Sequence, residues 1–322
     1  MKLFITGGSG FVGKSLIKEL VKGHHEIYCL ARSEKAIQLI NNLGANPVSG
    51  NLLAVQEFKN KLKGIDAIVH SGAKIKFVGD LDEFYGVNVK ATRELIDSAI
   101  EAKVKKFIYI SAAAIALDGK PLIEITEEYQ PKSMIKSNYL KSKLLAESEI
   151  LKRNKEIQVI ILRPPVVWGE GMGIMNEFRN TITKIGFPTI GDPLHHLATC
   201  HIQNLITAIL LSLKNNEANG VFLVNDNEKV EVREFMRKLI KGYTMEMGNL
   251  RIPKKMALLT ANFLEFIWKT FSLKGNPPMT SIIVHIMGNE FSIDDTKARR
   301  ILGYKPTLSV EEGLHQLSQA RK

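Results

Sequence analysis

Tyr139 and Lys143 are the two residues whose types and spacing point most directly to catalysis. They lie in the run Tyr-Leu-Lys-Ser-Lys, and residues four positions apart share one face of a helix. A phenol has a pKa of about 10, and a neighbouring ammonium group lowers that pKa toward neutrality. Such a phenol can act as the general acid or base in carbonyl reduction or alcohol oxidation. The pair therefore predicts that Tyr139 exchanges the proton and that Lys143 lowers the pKa of the Tyr139 phenol.

A glycine-rich segment near the start of the chain predicts a phosphate site. It reads Thr6-Gly7-Gly8-Ser9-Gly10-Phe11-Val12-Gly13, directly after an apolar run and before a helical pattern. In such a loop Gly7 permits a sharp turn, Gly10 lets a pyrophosphate approach the backbone, and Gly13 lets the helix pack close to the sheet. The positive end of the helix dipole then faces the phosphates. We expect the cofactor to be bound by Gly7, Ser9, Gly10, Phe11, Val12 and Gly13.

Arg32 bears on the choice of cofactor. Loops of this kind that bind NAD use an acidic residue at the end of the second strand to accept hydrogen bonds from the ribose. Here the predicted strand Glu26 to Leu30 runs into Ala31-Arg32-Ser33, which contains no carboxylate. A guanidinium group can instead bind a 2′-phosphate in a bidentate manner. We therefore predict NADP as the cofactor, with NAD as the alternative and a solvated surface role as the alternative for Arg32.

The elements that must position these residues alternate between short apolar runs and amphipathic stretches, as in a parallel sheet covered by helices on both faces. The predicted strands are Lys2 to Thr6, Glu26 to Leu30, Ala67 to His70, Phe107 to Ser111 and Val159 to Leu162, and the predicted helices are Val12 to Lys22, Glu34 to Leu43, Leu81 to Ala102 and Ser137 to Lys152. From about Trp168 glycine and proline become frequent, which is typical of loops.

This pattern predicts an α/β fold with two parts. A Rossmann-like, doubly wound parallel sheet is expected over residues 1–168 as the NAD(P)-binding domain. A smaller, mostly helical substrate-binding lobe is expected over residues 169–322, with about 197–225 returning to the first domain.

Composition sets wider limits. The 322 residues are 45% hydrophobic and 24% charged, as in a globular protein, and carry a net charge of +11. Such a charge favours polyanions, but the basic residues are scattered and no nucleic-acid-binding module is recognisable, so no nucleic-acid partner is predicted. No histidine or cysteine spacing suits a metal site, so none is expected. Cys29 and Cys200 lie in apolar contexts and Met1-Lys2 run directly into a strand, which together predict a cytoplasmic protein with reduced thiols.

The sequence resembles the extended short-chain dehydrogenases/reductases, also called the NAD-dependent epimerase/dehydratase family. Besides the glycine loop and the Tyr139 motif, the matching segments are GNL (50–52), HSGA (70–73), NVKAT (88–92) and LRPPVVWGEG (162–171). The last segment, together with PPMT (277–280) and FSIDDTKARRILGYKP (291–306), is most similar to the 3β-hydroxysteroid dehydrogenase and dihydroflavonol reductase branch.

The resemblance implies roles for particular residues. Tyr139 would be the catalytic acid/base, and Lys143 would also hold the nicotinamide ribose. Asn51 and Leu52 would lie beside the adenine, although the family more often has Asp at the position of Asn51. The remaining cofactor contacts implied are Ser71, Gly72 and Ala73 in the cleft, Asn88 behind it, and Pro164 to Val166 beside the nicotinamide.

One position departs from the family pattern. The strand before the tyrosine usually ends in two hydroxyl residues, the second of which bonds the substrate oxygen, whereas this chain reads Ile110-Ser111-Ala112. Ala112 then stands at the substrate position without a hydroxyl, and Ser111 is the remaining catalytic candidate. Because neighbouring strand residues point to opposite faces, Ser111 could replace the missing group only after a local shift. The enzyme either uses another donor or is catalytically weak.

The second lobe should meet the substrate. Trp168, Met172 and Phe178 follow the last strand of the first domain and are expected to line the pocket. The stretch Lys254 to Phe271 carries apolar residues at helical spacing with lysines around them. It is either a core or cap helix of the lobe, or a helix that lies on a membrane surface or lines an apolar cleft.

Three functions follow as hypotheses. The first is an NADP-dependent oxidoreductase of an apolar, sterol-like or flavonoid-like substrate. The second is a nucleotide-sugar epimerase or dehydratase, for which Arg179, Arg233 and Arg251 are candidate diphosphate ligands. The third is a catalytically weakened NADP-binding module, given Ala112. The sequence also allows two partners. One is a membrane surface, contacted peripherally, and the other is a second copy of the chain in a homodimer, which is common in the family.

Overall fold

The computed structural model describes residues 1–173, 175, 179 and 186–320 of the chain. Its strands are β1 (Lys2–Thr6), β2 (Glu26–Ala31), β3 (Asn46–Ser49), β4 (Ala67–His70), β5 (Lys106–Ile110), β6 (Leu122–Ile125), β7 (Gln158–Arg163), β8 (Val166–Trp168), β9 (Phe187–Ile190), β10 (His196–Leu197), β11 (Thr199–His201), β12 (Gly220–Leu223), β13 (Val230–Glu231), β14 (Met247–Ile252) and β15 (Phe291–Ile293).

The α-helices of the described residues are α1 (Phe11–Lys22), α2 (Glu34–Asn42), α3 (Val55–Phe58), α4 (Leu81–Phe84), α5 (Ala91–Glu101), α6 (Asn138–Leu151), α7 (Ile202–Lys214), α8 (Val232–Gly242), α9 (Lys254–Thr270), α10 (Ser281–Met287), α11 (Thr296–Leu302) and α12 (Val310–Gln319). A π-helical turn, Tyr85–Lys90, joins α4 to α5, and a 3₁₀ turn, Ala113–Ala116, follows β5.

Seven strands form the main sheet in the order β12-β7-β5-β4-β1-β2-β3, and every neighbouring pair is parallel. The chain winds outward from β1 in one direction to β3 and in the other through β4, β5, β7 and β12. The predicted Rossmann-like, doubly wound fold is confirmed. The direction of winding reverses between β1 and β4, and sheets of this kind bind their ligands in the crevice at that point.

Helices cover both faces of the sheet because the strands are apolar on both sides. On one face α1, α2, α7 and α11 pack against residues such as Leu3, Ile5 and Val69. On the other face α3, α5 and α6 pack against residues such as Phe4, Ile68 and Phe107. The glycine loop and the start of α6 therefore lie on opposite faces of one sheet and meet at its carboxyl edge.

The predicted strands and helices of the first half are present, with two further strands in the sheet and one helix that is divided. β3 and β12 extend the sheet at its two edges and were not predicted. Leu81 to Ala102, predicted as one helix, consists of α4, the π-helical turn and α5. Residues 202–223 supply α7 and the edge strand β12 to the main sheet.

The second lobe has its own core and its own small sheet. Four strands from distant parts of the chain associate in the order β13-β10-β15-β6. Beside them, α8, α10 and α12 bury side chains such as Phe235, Ile282 and Leu314 against Trp168 and Phe291. The lobe is thus less purely helical than the sequence indicated, because short strands in separate segments give no periodic signal.

Candidate active site

The glycine loop packs closely against the neighbouring backbone. Gly7 has a φ of +76°, and a Cβ atom there would lie 2.7 Å from the backbone nitrogen of Gly72. A Cβ atom at Gly13 would lie 2.2 Å from the carbonyl oxygen of Gly7. Only glycine allows the loop to press against β4 and α1 in this way. Gly10 begins α1 without a side-chain cap, and the first turn contains no acidic residue, which leaves the helix N-terminus free to bind an anion.

A buried histidine connects the two strands on either side of the crevice. Thr6 Oγ1 lies 2.6 Å from His70 Nδ1, and His70 Nε2 lies 2.8 Å from Thr92 Oγ1. Burial lowers the pKa of His70 to about 3, so the ring is neutral and accepts one of these hydrogen bonds while donating the other. Sequence reasoning did not single out His70 or Thr6. Their role is to fix the ends of β1 and β4 below the glycine loop.

Ser71, Gly72 and Ala73 follow β4 at the same edge, as predicted for cleft residues. Ser71 Oγ donates to the carbonyl oxygen of Thr6 at 2.8 Å, and the Gly72 nitrogen donates to Thr6 Oγ1 at 3.1 Å. The segment is therefore tied to β1 next to the glycine loop. Its residues are partly exposed.

The candidate adenosine residues lie at the ends of β2 and β3. Arg32 is exposed, and its guanidinium forms no ion pair with any residue in the described ranges. Asn51 is also exposed, but its Oδ1 accepts a hydrogen bond from the Leu53 nitrogen at 3.1 Å and so caps the turn that contains Leu52. Because β2 and β3 are parallel neighbours, Arg32 and Asn51 lie on the same edge of the sheet as the glycine loop.

Tyr139 lies in the first turn of α6, where surrounding groups fix its position. Ser137 caps the helix by accepting from the Leu140 nitrogen at 3.2 Å, and Asn138 Nδ2 donates to the carbonyl oxygen of Gly79 at 2.9 Å. The Tyr139 ring is half-buried and packs at 6.3 Å, between ring centres, from the buried Phe84. The phenol is thus held at the carboxyl edge of the sheet while part of its surface stays accessible.

Lys143 is buried one turn further along α6. Its Nζ donates to the carbonyl oxygen of Ile110 at 2.6 Å and lies 4.3 Å from the centre of the Tyr109 ring. The lysine therefore reaches the end of β5, immediately before Ser111 and Ala112. Tyr139 and Lys143 share one face of the helix, as their spacing predicted.

The pKa values of this pair differ from the expectation that the lysine would lower the pKa of the phenol. Burial raises the pKa of Tyr139 to about 12, since a phenolate is poorly solvated there. Burial also lowers the pKa of Lys143 to about 7, an effect that the nearby Glu147 carboxylate partly opposes. The expectation fails because desolvation by burial is the largest cause of both shifts. At neutral pH Tyr139 carries its proton and is ready to donate it.

Glu147 is itself held by Arg163. The Arg163 Nε and Nη2 atoms donate to the carboxylate of Glu147, the latter at 2.5 Å, and both side chains are largely buried. The pair fixes α6 to the end of β7. Neither residue was picked out from the sequence, because an isolated Glu and Arg in separate elements give no local signal.

Asn88 supports the helix that carries Tyr139. It lies in the π-helical turn, is buried, and donates from Nδ2 to Ser142 Oγ at 2.9 Å. Ser142 Oγ in turn donates to the carbonyl oxygen of Tyr139 at 2.7 Å. Asn88 Oδ1 also accepts from the Lys74 nitrogen at 2.7 Å. The amide thus links the segment after β4 to α6 and lies behind the cleft.

Ser111 and Ala112 differ in exposure. Ala112 has extended backbone and is partly exposed. Ser111 is buried, and its Oγ lacks a hydrogen-bond partner in the described part of the chain. Its backbone is fixed by donation from the Ser111 nitrogen to the carbonyl oxygen of Leu162 at 2.8 Å. The hydroxyl is thus enclosed, and the open position carries only a methyl group.

Pro164 and Val166 continue from β7 along the same edge. The carbonyl oxygen of Pro164 accepts from the Ala113 nitrogen at 2.8 Å, which ties this segment to the residues after Ala112. Val166 is half-buried in β8 and pairs with Thr199 of β11.

The expectation that Trp168 lines a pocket is wrong for this structure. Trp168 is fully buried, its Nε1 donates to Asp226 Oδ2 at 2.8 Å, and its ring packs edge-on against His201 and Phe235. Because its N–H group is hydrogen-bonded and its ring is buried, Trp168 is part of the hydrophobic core of the lobe. Met172 is half-buried and packs against the same core, and its nitrogen donates to Tyr243 Oη at 3.2 Å. Phe178 lies outside the described residues.

A doubly wound sheet with a glycine loop, a buried lysine and a tyrosine at its carboxyl edge defines a nucleotide-dependent enzyme of the short-chain dehydrogenase/reductase type. The sequence model of the 3-beta hydroxysteroid dehydrogenase/isomerase family matches residues 4–254, and the chain belongs to that family. It is therefore an oxidoreductase that uses a nicotinamide cofactor to transfer hydride at a hydroxyl or carbonyl group.

Two relatives match over nearly their whole length. A 4-hydroxy-2-methyl-3-oxo-4-farnesyl-3,4-dihydroquinoline-1-oxide ketoreductase of Stigmatella aurantiaca is 29% identical, with 99% of this chain and 96% of that protein covered. A decarboxylating sterol-4-alpha-carboxylate 3-dehydrogenase of Dictyostelium discoideum is 29% identical, with 98% and 99% covered.

Solved structures resemble this fold at lower identity. UDP-glucose 4-epimerase of Thermotoga maritima, solved with UDP-glucose, has a TM-score of 0.76 at 18% identity over 99% of this chain and 98% of its own. UDP-glucuronic acid 4-epimerase of Bacillus cereus, solved with NAD, has a TM-score of 0.74 at 19% identity over the full length of both chains. At these identities the likeness establishes the fold alone.

Proposed function

We propose that this protein is an NADP(H)-dependent oxidoreductase that interconverts a hydroxyl and a carbonyl group on an apolar, lipid-like substrate, with Tyr139 as the proton donor or acceptor. The observation that carries the proposal is the position of a protonated, half-buried Tyr139 beside the carboxyl end of β5, one helical turn from a buried Lys143. The names of the two relatives support a substrate with a farnesyl chain or a sterol skeleton.

The residues divide the work of binding and proton transfer. The loop from Gly7 to Gly13 holds the pyrophosphate, and Lys143 orients the nicotinamide ribose. When bound, the nicotinamide supplies or accepts the hydride at the substrate carbon. In the reducing direction, the Tyr139 hydroxyl gives its proton to the substrate oxygen, which becomes the alcohol. In the oxidising direction, Tyr139 takes the proton from the alcohol.

The pKa of Tyr139 suits its role as the proton donor of the reducing direction at neutral pH. A phenol with a pKa of about 12 retains its proton and donates it to a developing alkoxide. A ribose held at the Lys143 ammonium would stabilise the charged lysine and work against the burial that lowers its pKa to about 7. Cofactor binding is therefore coupled to protonation of Lys143.

The substrate class has a direct test. Purified protein is mixed with NADPH and either a 3-ketosteroid, a long-chain ketone or a UDP-sugar, and the absorbance of the reduced cofactor is followed. Oxidation of NADPH with an apolar ketone supports the proposal. Turnover of the UDP-sugar, together with a tightly retained oxidised cofactor and no reaction of the ketones, would show instead a nucleotide-sugar epimerase or dehydratase.

Arg32 makes the preference for NADP(H) testable. We expect Arg32→Ala to weaken NADPH binding by about ten- to a hundredfold while NADH binding changes little, because the variant loses only the contact with the 2′-phosphate. Fluorescence titration of both cofactors gives the two dissociation constants. Equal binding of NADH and NADPH by the wild-type protein, or an unchanged ratio in the variant, would refute the preference.

Assembly and location complete the proposal. Pairing into a homodimer is expected from the family and is tested by analytical ultracentrifugation of the purified chain. A cytoplasmic location agrees with the buried, unpaired thiols of Cys29 and Cys200.

A further inference from the structure

Helix α9 exposes a continuous apolar stripe. Met256, Leu259, Phe263 and Phe266 recur at intervals of three and four residues, so they share one face of the helix. They are 56%, 65%, 63% and 65% exposed, and Phe271, directly after the helix, is 69% exposed. The opposite face buries Ala257 and Ala261 against Ile190 and Val284. Monomeric soluble proteins rarely expose so many large apolar side chains together, and such patches mark interaction sites.

The charges around this stripe have one sign. Residues 247–289 contain Arg251, Lys254, Lys255, Lys269 and Lys274, and their single acidic residue is Glu265. The Glu265 carboxylate is turned inward, where it accepts hydrogen bonds from the nitrogen and Oγ of Ser281 at 2.6 and 2.9 Å. Lys255 and Lys274 are exposed and form no ion pair within the described residues. Two of the cations that border the stripe, Lys255 and Lys274, thus have no counter-charge among the described residues, whereas Lys269 pairs with Asp80.

The stripe is connected to the candidate active site by one loop. This loop, residues 72–80, begins at Gly72 in the cofactor cleft. The carbonyl oxygen of Gly79 accepts from Asn138, the residue before Tyr139, at 2.9 Å. The Phe77 nitrogen donates to Asn276 Oδ1 at 2.9 Å, and Asp80 forms an ion pair with Lys269 at 3.0 Å. Ile75 at the tip of the loop is 68% exposed.

We propose that α9 docks on the surface of an anionic lipid bilayer, with its apolar stripe in the acyl boundary and Lys255 and Lys274 among the headgroups. An amphipathic helix with large apolar residues on one face and flanking lysines binds membrane interfaces in this manner. A second copy of this chain fits less well, because a symmetric contact would bring Lys255 and Lys274 of both copies to one interface, while Glu265, the acidic residue of α9, is turned inward and Asp80 is already paired with Lys269.

The docking is a surface contact. None of the helices built from described residues is long and apolar enough to cross a bilayer. With α9 on the membrane, the loop 72–80, which contacts Lys269 of α9 and Asn138 beside Tyr139, would lie next to the lipid phase. A lipid-like substrate would then enter the site from the bilayer; this second step rests on the proposed function, whereas the docking does not.

Vesicle binding without cofactor or substrate tests the docking separately from catalysis. Sedimentation with phosphatidylglycerol-containing phosphatidylcholine vesicles at low salt should recover the wild-type protein in the pellet. Phe263→Gln/Phe266→Gln should weaken this binding by about tenfold or more, since two buried aromatic side chains are lost from the interface. Lys255→Glu/Lys274→Glu should also weaken it, and added salt should do the same.

Ile123→Gln is the matched control, because Ile123 is 69% exposed on β6 and lies outside the stripe. Its vesicle binding should equal that of the wild type. Circular dichroism and NADPH binding check that the α9 variants are folded. The proposal is overturned if the wild-type protein stays in the supernatant, if the phenylalanine variant binds as well as the wild type, or if the same variants instead abolish a homodimer formed without lipid.

Discussion

At the scale of single residues, the site contains a protonated tyrosine, Tyr139, but lacks a hydroxyl group at Ala112. Tyr139 keeps its proton at neutral pH because burial raises the pKa of its phenol to about 12, and the residue is partly exposed. At the position where the family usually supplies a second hydroxyl, the partly exposed Ala112 offers none, while the hydroxyl of Ser111 is enclosed and lacks a partner among the described residues. Under the proposed function, Tyr139 would therefore activate the substrate oxygen without help from this strand.

Ala112→Ser should raise kcat/KM for ketone reduction by about tenfold or more. The new hydroxyl would donate to the oxygen as negative charge develops, and removal of one such donor typically costs about 10²- to 10³-fold in rate. Steady-state kinetics with NADPH and an apolar ketone gives the comparison. Ser111→Ala serves as the control and should change kcat/KM by less than about threefold, since an enclosed hydroxyl cannot reach the substrate.

A large loss of activity in Ser111→Ala would contradict this interpretation and identify Ser111 as the donor after a local movement. No gain in Ala112→Ser would show that another group already fills the role. Activity in the wild type that does not depend on Tyr139 would refute the assignment of Tyr139 as the acid/base.

At the scale of elements, the glycine loop and α1 form a cradle that depends on close contact. The loop turns between β1 and α1, and Gly13 lets the helix approach the loop so closely that a Cβ atom would overlap the oxygen of Gly7. The N-terminus of α1 is thereby aimed at the crevice between β1 and β4. Any side chain at Gly13 must move the helix or the loop.

Gly13→Ala should lower both the melting temperature and the affinity for NADPH. In an exposed helix, replacing glycine by alanine stabilises the protein by about 1 kcal/mol. Overpacking costs about 1–3 kcal/mol, so the close contact at Gly13 should make the net change in stability unfavourable. Calorimetry and fluorescence titration measure the two effects. Gly173→Ala is the matched control, because a Cβ atom there meets no atom of the described residues within 4 Å. A Gly13→Ala protein that is more stable and binds NADPH normally would contradict the close packing.

The elements also mark where sequence reasoning reaches its limit. β1, β4, β5 and their helices carry strong periodic patterns and a glycine loop, so their identity and order could be predicted. β3 contains Pro47 and only one fully buried residue, Val48, and therefore looks like a turn although it pairs with β2. The lobe's four-stranded sheet joins segments from distant parts of the chain, such as β6 (Leu122–Ile125) and β15 (Phe291–Ile293), and such pairing is decided by tertiary packing.

The same limit applies to the candidate site. Tyr139, Lys143 and the glycine loop could be identified because their spacing is local. The burial of Trp168 and the supporting roles of His70, Glu147 and Arg163 depend on contacts between distant segments. The pKa of Tyr139 was expected to fall and instead rises, because the degree of desolvation is a property of the folded surroundings.

At the scale of the whole molecule, burial of Lys143 links folding to pH. The lysine has a pKa of about 7 in the fold and its ordinary, higher value in the unfolded chain. Between these values the unfolded chain binds a proton that the folded chain does not, so this residue makes the free energy of unfolding rise with pH from about 7 to about 10. Below pH 7 both states are protonated, and the folded state bears the cost of a buried charge.

Lys143→Met should therefore be more stable than the wild type near pH 6, and its advantage should shrink above pH 7 by up to about 1.4 kcal/mol per pH unit. Urea unfolding of the cofactor-free proteins at several pH values measures the difference, and titrations common to both chains cancel. A difference in unfolding free energy that does not vary between pH 7 and 10 would show that Lys143 remains charged in the fold.

Comparison of the wild type with Tyr139→Phe tests whether Tyr139 donates the proton in ketone reduction. The rate of NADPH-dependent reduction of an apolar ketone is measured for both proteins, together with the NADPH dissociation constant. The wild type should reduce the ketone. Tyr139→Phe should lose about 10²- to 10⁴-fold in kcat and should bind NADPH as tightly as the wild type does. A variant that reduces the ketone as fast as the wild type would contradict the assignment of Tyr139 as the proton donor.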